Sequence, residues 1–152
     1  MKRPEILAPA GNMECLVAAV NAGCDAVYLA GKLYGARGFA ENFSNDEIIE
    51  AIKFCHLRGV LVYVTVNTII YEREVDNFIN YIRFLHQNNV DAIIIEDIGM
   101  LDLIRKKFPL LEIHASTQMH ITSRKDVLFL KSIGVKRCVL AREVSIDKIK
   151  NL

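Results

Sequence analysis

The chain has 152 residues, 52% hydrophobic and 24% charged, with a formal net charge of +1. That length and apolar content suit one folded domain with a substantial core and exclude a disordered chain. No apolar run approaches the roughly 20 residues that cross a bilayer, and Met1 to Pro9 carry no apolar stretch of signal-peptide length, so a cytoplasmic protein without a membrane span is expected.

In chain order, a first strand is expected over 5–8. A helix from Asn12 to Ala22 follows Pro9-Ala10-Gly11 and buries Leu16, Ala19 and Val20. The strand over 25–31 opens the longest loop, which carries Tyr34, Arg37, Phe39, Glu41, Asn42 and Phe43. Ser44-Asn45-Asp46-Glu47 then has the form of a capping box, in which the Ser and Glu side chains each bond the other residue's backbone N–H. Ile48, Ile49, Ile52 and Cys55 share one face of the helix it starts. After a strand over 60–67, Val75, Phe78, Ile79, Ile82 and Leu85 form a second helical stripe. A strand over 90–97 precedes a third stripe, Leu101, Ile104 and Phe108. A strand over 112–117, a helix from Ser123 to Ile133, a strand over 136–142 and a helix begun by Ser145 complete the chain.

Four junctions are alike. Gly23, Gly59, Asn88-Asn89 and Gly134 each follow an amphipathic run and precede an apolar, β-branched one. Gly and Asn tolerate the left-handed backbone that ends a helix. The runs after them are nearly continuous in apolar residues, as in parallel strands covered on both faces. Six β-α units in strict alternation predict an α/β fold with a parallel sheet. Spacing alone leaves both an open doubly wound sheet and a TIM barrel, which needs about 250 residues and eight strands. The first strand is not followed by G-x-G-x-x-G, and Gly31-Lys32 runs into Leu33 rather than completing a phosphate loop, which weakens the nucleotide-binding open sheet. Read as a barrel, six of eight units are present. The first and sixth strands would then be edges open to pairing, a route to a homo-oligomer.

The four cysteines, Cys15, Cys24, Cys55 and Cys138, lack CxxC or metal-finger spacing and read as reduced core residues. Charge is uneven: residues 1–100 carry 8 Lys/Arg and 13 Asp/Glu, or −5, while residues 101–152 carry 11 and 5, or +6. The basic last third is suited to an acidic partner such as RNA, although most of its charges fall where solvated helices and turns are expected.

In parallel α/β folds, chemistry collects at the C-terminal ends of strands. Those ends here are polar: Lys32, Thr65 and Asn67, Glu96 and Asp97, His114, Ser116 and Gln118, Arg142 and Glu143. Residues two apart on a strand share a face, so His114 and Ser116 point together, as do Thr65 and Asn67. A nucleophilic Ser116 with His114 as base, Glu96 as general acid or base, and His114 with His120 as metal ligands are the catalytic arrangements these residue types allow. No third acid orients the His-Ser pair, and two distant imidazoles are too few ligands for a metal. Of Glu96 and Asp97, at most one faces inward; the other is placed to cap the next helix. Lys32, Arg37 and Arg142 are candidate anion clamps. The loop aromatics have the shape to stack a planar substrate, with plain packing as the simpler role.

Pro4-Glu5-Ile6-Leu7-Ala8-Pro9-Ala10-Gly11, Asp25-Ala26-Val27-Tyr28-Leu29, Ala36-Arg37 with Asn42-Phe43, Thr65-Val66-Asn67-Thr68, His114-Ala115-Ser116-Thr117-Gln118-Met119 and Leu140-Ala141-Arg142-Glu143 resemble, in order, the N-terminal region of the collagenase-like peptidase family, peptidase family U32. The resemblance covers essentially the whole chain. It implies a TIM-barrel-like N-terminal portion of a longer protein, and it tips the balance from the open sheet. It also implies a peptidase acting on peptide or protein, or alternatively hydroxylation of RNA bases or ubiquinone precursors. The latter would use an iron–sulfur cluster held by cysteines in a later part of the longer protein, with no cofactor in this chain. A third reading is a non-catalytic module that binds an anionic ligand. Carried over by position, Asn67, Glu96, His114, Ser116, Gln118, Arg142 and Glu143 are expected to line the barrel mouth.

Overall fold

The computed structural model describes residues 3–36, 41–150 and 152. Among these residues, six strands alternate with six α-helices: β1 (Leu7–Pro9), α1 (Met13–Asn21), β2 (Ala26–Ala30), α2 (Asn45–His56), β3 (Leu61–Val66), α3 (Val75–Gln87), β4 (Ala92–Ile95), α4 (Ile98–Lys107), β5 (Glu112–Ala115), α5 (Arg124–Ser132), β6 (Arg137–Cys138) and α6 (Ile146–Ile149). All neighbouring strands are parallel, in the order β1-β2-β3-β4-β5-β6. This consecutive order is that of a curled half-barrel, not of an open sheet whose strand order reverses about a switch point.

The junctions follow the local chemistry. Gly23, Gly59, Asn89 and Gly134 all have positive φ, from 61° to 89°. Ser44 and Glu47 form the expected capping box on α2, and Asn12 caps α1 through Cys15 N–H. Gly31 answers a close approach: a Cβ there would collide with the buried Tyr81 hydroxyl.

Alternation along the strands sorts side chains into two layers. Val27, Leu29, Val62, Val64, Val66, Ile93, Ile95 and Ile113 face outward into the main core, packed against Leu16, Ile48, Ile52, Phe78, Ile82, Leu101 and Ile104 from the helices. Ala26, Tyr63, Ala92 and Ile94, with Leu7 and Tyr28 against them, form a smaller cluster on the concave face.

The strands are shorter than the apolar runs. The expected 112–117 ends at Ala115 because Ser116 turns the chain, its hydroxyl capping a 3-10 turn over Thr117–Met119. The expected 136–142 contracts to Arg137–Cys138, since β5 offers only His114 and Ala115 as ladder partners. Cys24 and Cys55 are buried as expected and Cys138 is half-buried, but Cys15 is exposed. It lies one residue, about 100° of helix rotation, from Leu16, which faces the sheet. Among the described residues, no helix is long and apolar enough to cross a membrane.

Candidate functional site

A cavity of about 390 Å³ opens at the C-terminal ends of the strands. Leu7, Tyr28 and Ile94 wall it with apolar surface; its polar lining includes Asn42, Thr65, Thr117 and, beyond the ends of β3, β5 and β6, Asn67, Ser116, Gln118 and Arg142. Arg142 is the only charged residue among the described lining. No carboxylate lines it there, so the cavity is suited to an anionic or neutral ligand.

Asn67 organises this mouth. Its Oδ1 accepts from Ala36 N–H in the loop after β2 (3.2 Å), and its Nδ2 donates to Gln118 Oε1 (2.5 Å) and to Ser116 Oγ (3.4 Å). Ser116, only 3% exposed, also accepts from the Gln118 backbone N–H (3.3 Å). With its amide so occupied, Asn67 acts as a brace between strand ends. The Gln118 Nε2 and the Arg142 guanidinium have no partner among the described residues and are donors available to a ligand.

His114 shares the concave face with Ser116 but stands one level deeper. Its Nε2 donates to Glu112 Oε1 (2.8 Å), its ring packs edge-on to Tyr63 (centroids 4.7 Å apart), and its buried Nδ1 has no partner. Burial holds its pKa below the ordinary value, while the Glu112 bond pulls the other way. No hydrogen bond joins it to Ser116, and it does not line the cavity. His120 lies near Glu96 instead, where its charge acts against the rise that burial and Asp97 impose on the Glu96 carboxyl.

Of the other expected residues, Glu96 is half-buried and outside the lining, while its neighbour Asp97 caps α4 and accepts from Ile70 N–H. Lys32 turns toward α2, where its charge helps hold the Glu47 carboxyl below its usual range. Glu143 is exposed and off the cavity. Arg37 lies outside the described residues. Tyr34 packs edge-on to Phe78 and Phe43 is buried in the core, so both serve packing.

The sequence reading missed a polar cluster on the floor of the concave face. Arg137 grips Glu5 with both prongs, Nη1 to Oε1 at 2.5 Å and Nη2 to Oε2 at 3.0 Å, and the Tyr63 hydroxyl donates to the same carboxylate at 3.1 and 3.2 Å. Glu112 and His114 lie alongside. The alternation Glu112-x-His114-x-Ser116 was the available signal: it puts a carboxylate inside the sheet.

The cysteines do not fit an iron–sulfur cluster. They are spread over α1, the approach to β2, the last turn of α2 and β6, and burial raises the Cys24 thiol and pushes that of Cys55 up to about 11. Among the described residues, no group of three or more His, Cys, Asp or Glu side chains is placed to hold a metal.

Comparison with known proteins adds to this geometry. The profile of Peptidase family U32 matches residues 11–152. The chain is 40% identical over 151 residues to tRNA hydroxylation protein P1 of Bacillus subtilis, covering 99% of this chain and 36% of that protein. It is 39% identical over 148 residues to the 23S rRNA 5-hydroxycytidine C2501 synthase of Escherichia coli, covering 97% and 22%. It is also 32% identical to a collagenase of Porphyromonas gingivalis, covering 97% and 35%. The chain thus spans about a third or less of the length of these relatives. Among solved structures it is similar to the U32 peptidase Mk0906, with a TM-score of 0.74 at 10% identity over 92% of this chain and 60% of that one.

Proposed function

Because the chain belongs to peptidase family U32, we propose that it forms the barrel portion of an RNA-hydroxylation protein and that the mouth cavity holds a substrate of that reaction. The observation that carries this reading is the 40% and 39% identity, across nearly the whole chain, to two proteins named for RNA hydroxylation. The site favours it over the peptidase reading, because Ser116 Oγ is bonded to amides and to no imidazole or carboxylate among the described residues. An acyl-transfer nucleophile needs a base within hydrogen-bond reach.

In this reading the chain binds and orients. Arg142 meets an anionic group, the Gln118 amide donates to a neutral acceptor, and Tyr28, Leu7 and Ile94 give a ring or base an apolar wall. The redox chemistry comes from a cofactor that the cysteines described here do not hold. An RNA substrate puts the protein in the cytoplasm.

The test is mass spectrometry of tRNA and rRNA nucleosides from cells that lack the gene and are complemented with the natural full-length protein. A pyrimidine heavier by one oxygen is expected with the wild type and is lost with Arg142→Ala. Unmodified RNA in the complemented strain, with gelatin cleaved by the same protein, reverses the order in favour of the peptidase that the collagenase relative keeps open.

A further inference from the structure

The two ends of a side-chain amide are nearly alike in size, one a donor and the other an acceptor, so such a side chain can turn over in place. Its partners alone decide which end a ligand meets. At the mouth that decision starts from a group that cannot turn. Ala36 N–H, a main-chain donor in the loop after β2, holds Asn67 Oδ1 at 3.2 Å. Asn67 must therefore send Nδ2 the other way, and Gln118 meets it with Oε1 at 2.5 Å. Only Nε2 of Gln118 is then left for the cavity that this side chain lines.

Ser116 fixes the same direction by a second route. Its Oγ accepts from Asn67 Nδ2 (3.4 Å) and from the Gln118 backbone N–H (3.3 Å), so its own proton goes to Gln118 Oε1 (3.5 Å). Two donors converge on that oxygen. Turning the Gln118 amide over would set Nε2 against both of them and leave buried polar groups unpaired, a costly arrangement.

We infer that Asn67 locks Gln118 as a donor toward the cavity, and that Gln118 thereby selects the ligand through a carbonyl oxygen of a pyrimidine base. Asn67 is a positioning residue in this scheme and Gln118 the specificity-determining one. The identity of the base rests on the RNA-hydroxylation reading; the polarity of Gln118 does not. Cytosine and uracil both carry a ring carbonyl, and one relative is named for a cytidine product. Arg142, on the same cavity, is suited to the phosphate of that nucleotide. A ligand with an N–H where the carbonyl belongs is rejected, because two donors would then face each other with no acceptor between them.

The test follows exchange of the Gln118 side-chain amide protons with water by nuclear magnetic resonance. It uses the full-length protein with isotope-labelled glutamine, the resonance being assigned by its loss in Gln118→Leu. Without ligand, the wild-type protons should exchange as fast as those of a free glutamine. In Asn67→Asp one carboxylate oxygen keeps Ala36 N–H and the other faces Gln118, whose amide should turn over and exchange about tenfold more slowly. A wild-type amide already protected, or equal rates in wild type and Asn67→Asp, overturns the lock. Uridine monophosphate should slow wild-type exchange about tenfold, and should bind about tenfold more weakly to Gln118→Glu, which sets an acceptor where the donor stood. Nucleotide that binds with neither effect overturns the carbonyl contact. If circular dichroism shows Asn67→Asp unfolded, the wild-type exchange rate and Gln118→Glu decide the matter. A wild type that exchanges freely yet binds no nucleotide supports the lock and overturns the pyrimidine, which separates failure of the RNA reading from failure of the polarity.

Discussion

On the floor of the half-barrel, Glu5, Tyr63 and Arg137 satisfy one another's hydrogen bonds. At the mouth, Asn67, four residues beyond Tyr63, and Ser116, just past β5, are braced, while Gln118 Nε2 and Arg142, five residues beyond Arg137, keep donors free among the described residues. Both regions come from one alternation: Tyr63 and Asn67 are on the same face of β3, and Glu112 and Ser116 on the same face at β5. The difference lies in satisfaction. Polar groups that find all their partners within the chain hold shape, and those left with unused donors recognise something else. The floor is therefore expected to answer substitution in stability and the mouth in binding.

The largest expected effect on stability is at the floor. Arg137→Gln leaves the Glu5 carboxylate with only the Tyr63 hydroxyl and should lower unfolding free energy by about 2 kcal/mol, since Arg137 and Glu5 are both partly solvated. Combined with Glu5→Gln in a double-mutant cycle, the losses should be less than additive. The Arg137 guanidinium holds the Glu5 carboxyl below its ordinary value of 4.5. Its contribution is thus present above the unfolded pKa and fades as pH falls through the lower folded one. Urea titrations at neutral and strongly acidic pH check this, and a coupling that persists unchanged in acid breaks the comparison.

At the mouth the expectation is smaller in stability and larger in function. Asn67→Ala removes the brace between the β3 and β5 ends and should cost about 1 kcal/mol in urea titration. Under the proposed RNA-hydroxylation function it should also abolish most of the nucleoside modification expected of the wild type. A loss of stability as large as at the floor, with modification retained, would make Asn67 a shape-holder and erase the contrast.

Much of this was legible in the sequence because it is local. The four left-handed junctions, the Ser44–Glu47 capping box and the helical stripes each depend on residues a few positions apart, and together they gave the alternation. The U32 resemblance turned that alternation into a half-barrel. Reading the strand ends found Asn67, Ser116, Gln118 and Arg142, since position along a parallel strand sets the level of a side chain. Direction beyond the strand was not legible. Lys32 leaves the mouth because the pairing of Gly31 with Phe43 turns the chain toward α2. Position along β5 sets the face of His114 but not its depth, and Glu5 carries no local signal because its partner is 132 residues away.

The smallest expected effect belongs to His114, where floor and mouth adjoin. In the folded chain its imidazole is buried, donates to Glu112 from Nε2 and has an orphaned Nδ1, so adding a proton at Nδ1 creates one buried donor with no acceptor. Its folded pKa lies below the ordinary 6.5, with burial as the main cause. The unfolded chain therefore binds more protons than the folded one as pH falls below about 6.5, and linkage makes stability decline over that interval, down to the folded pKa. His114→Phe keeps the edge-on ring against Tyr63 and removes the titration. Between pH 7 and pH 5 the wild type should lose stability relative to His114→Phe. Parallel curves would mean that the Glu112 bond balances burial, and a wild type that gains stability relative to His114→Phe as pH falls would mean that the bond outweighs it, which would put a cation directly beneath the mouth and end the division between a self-satisfied floor and a receptive rim.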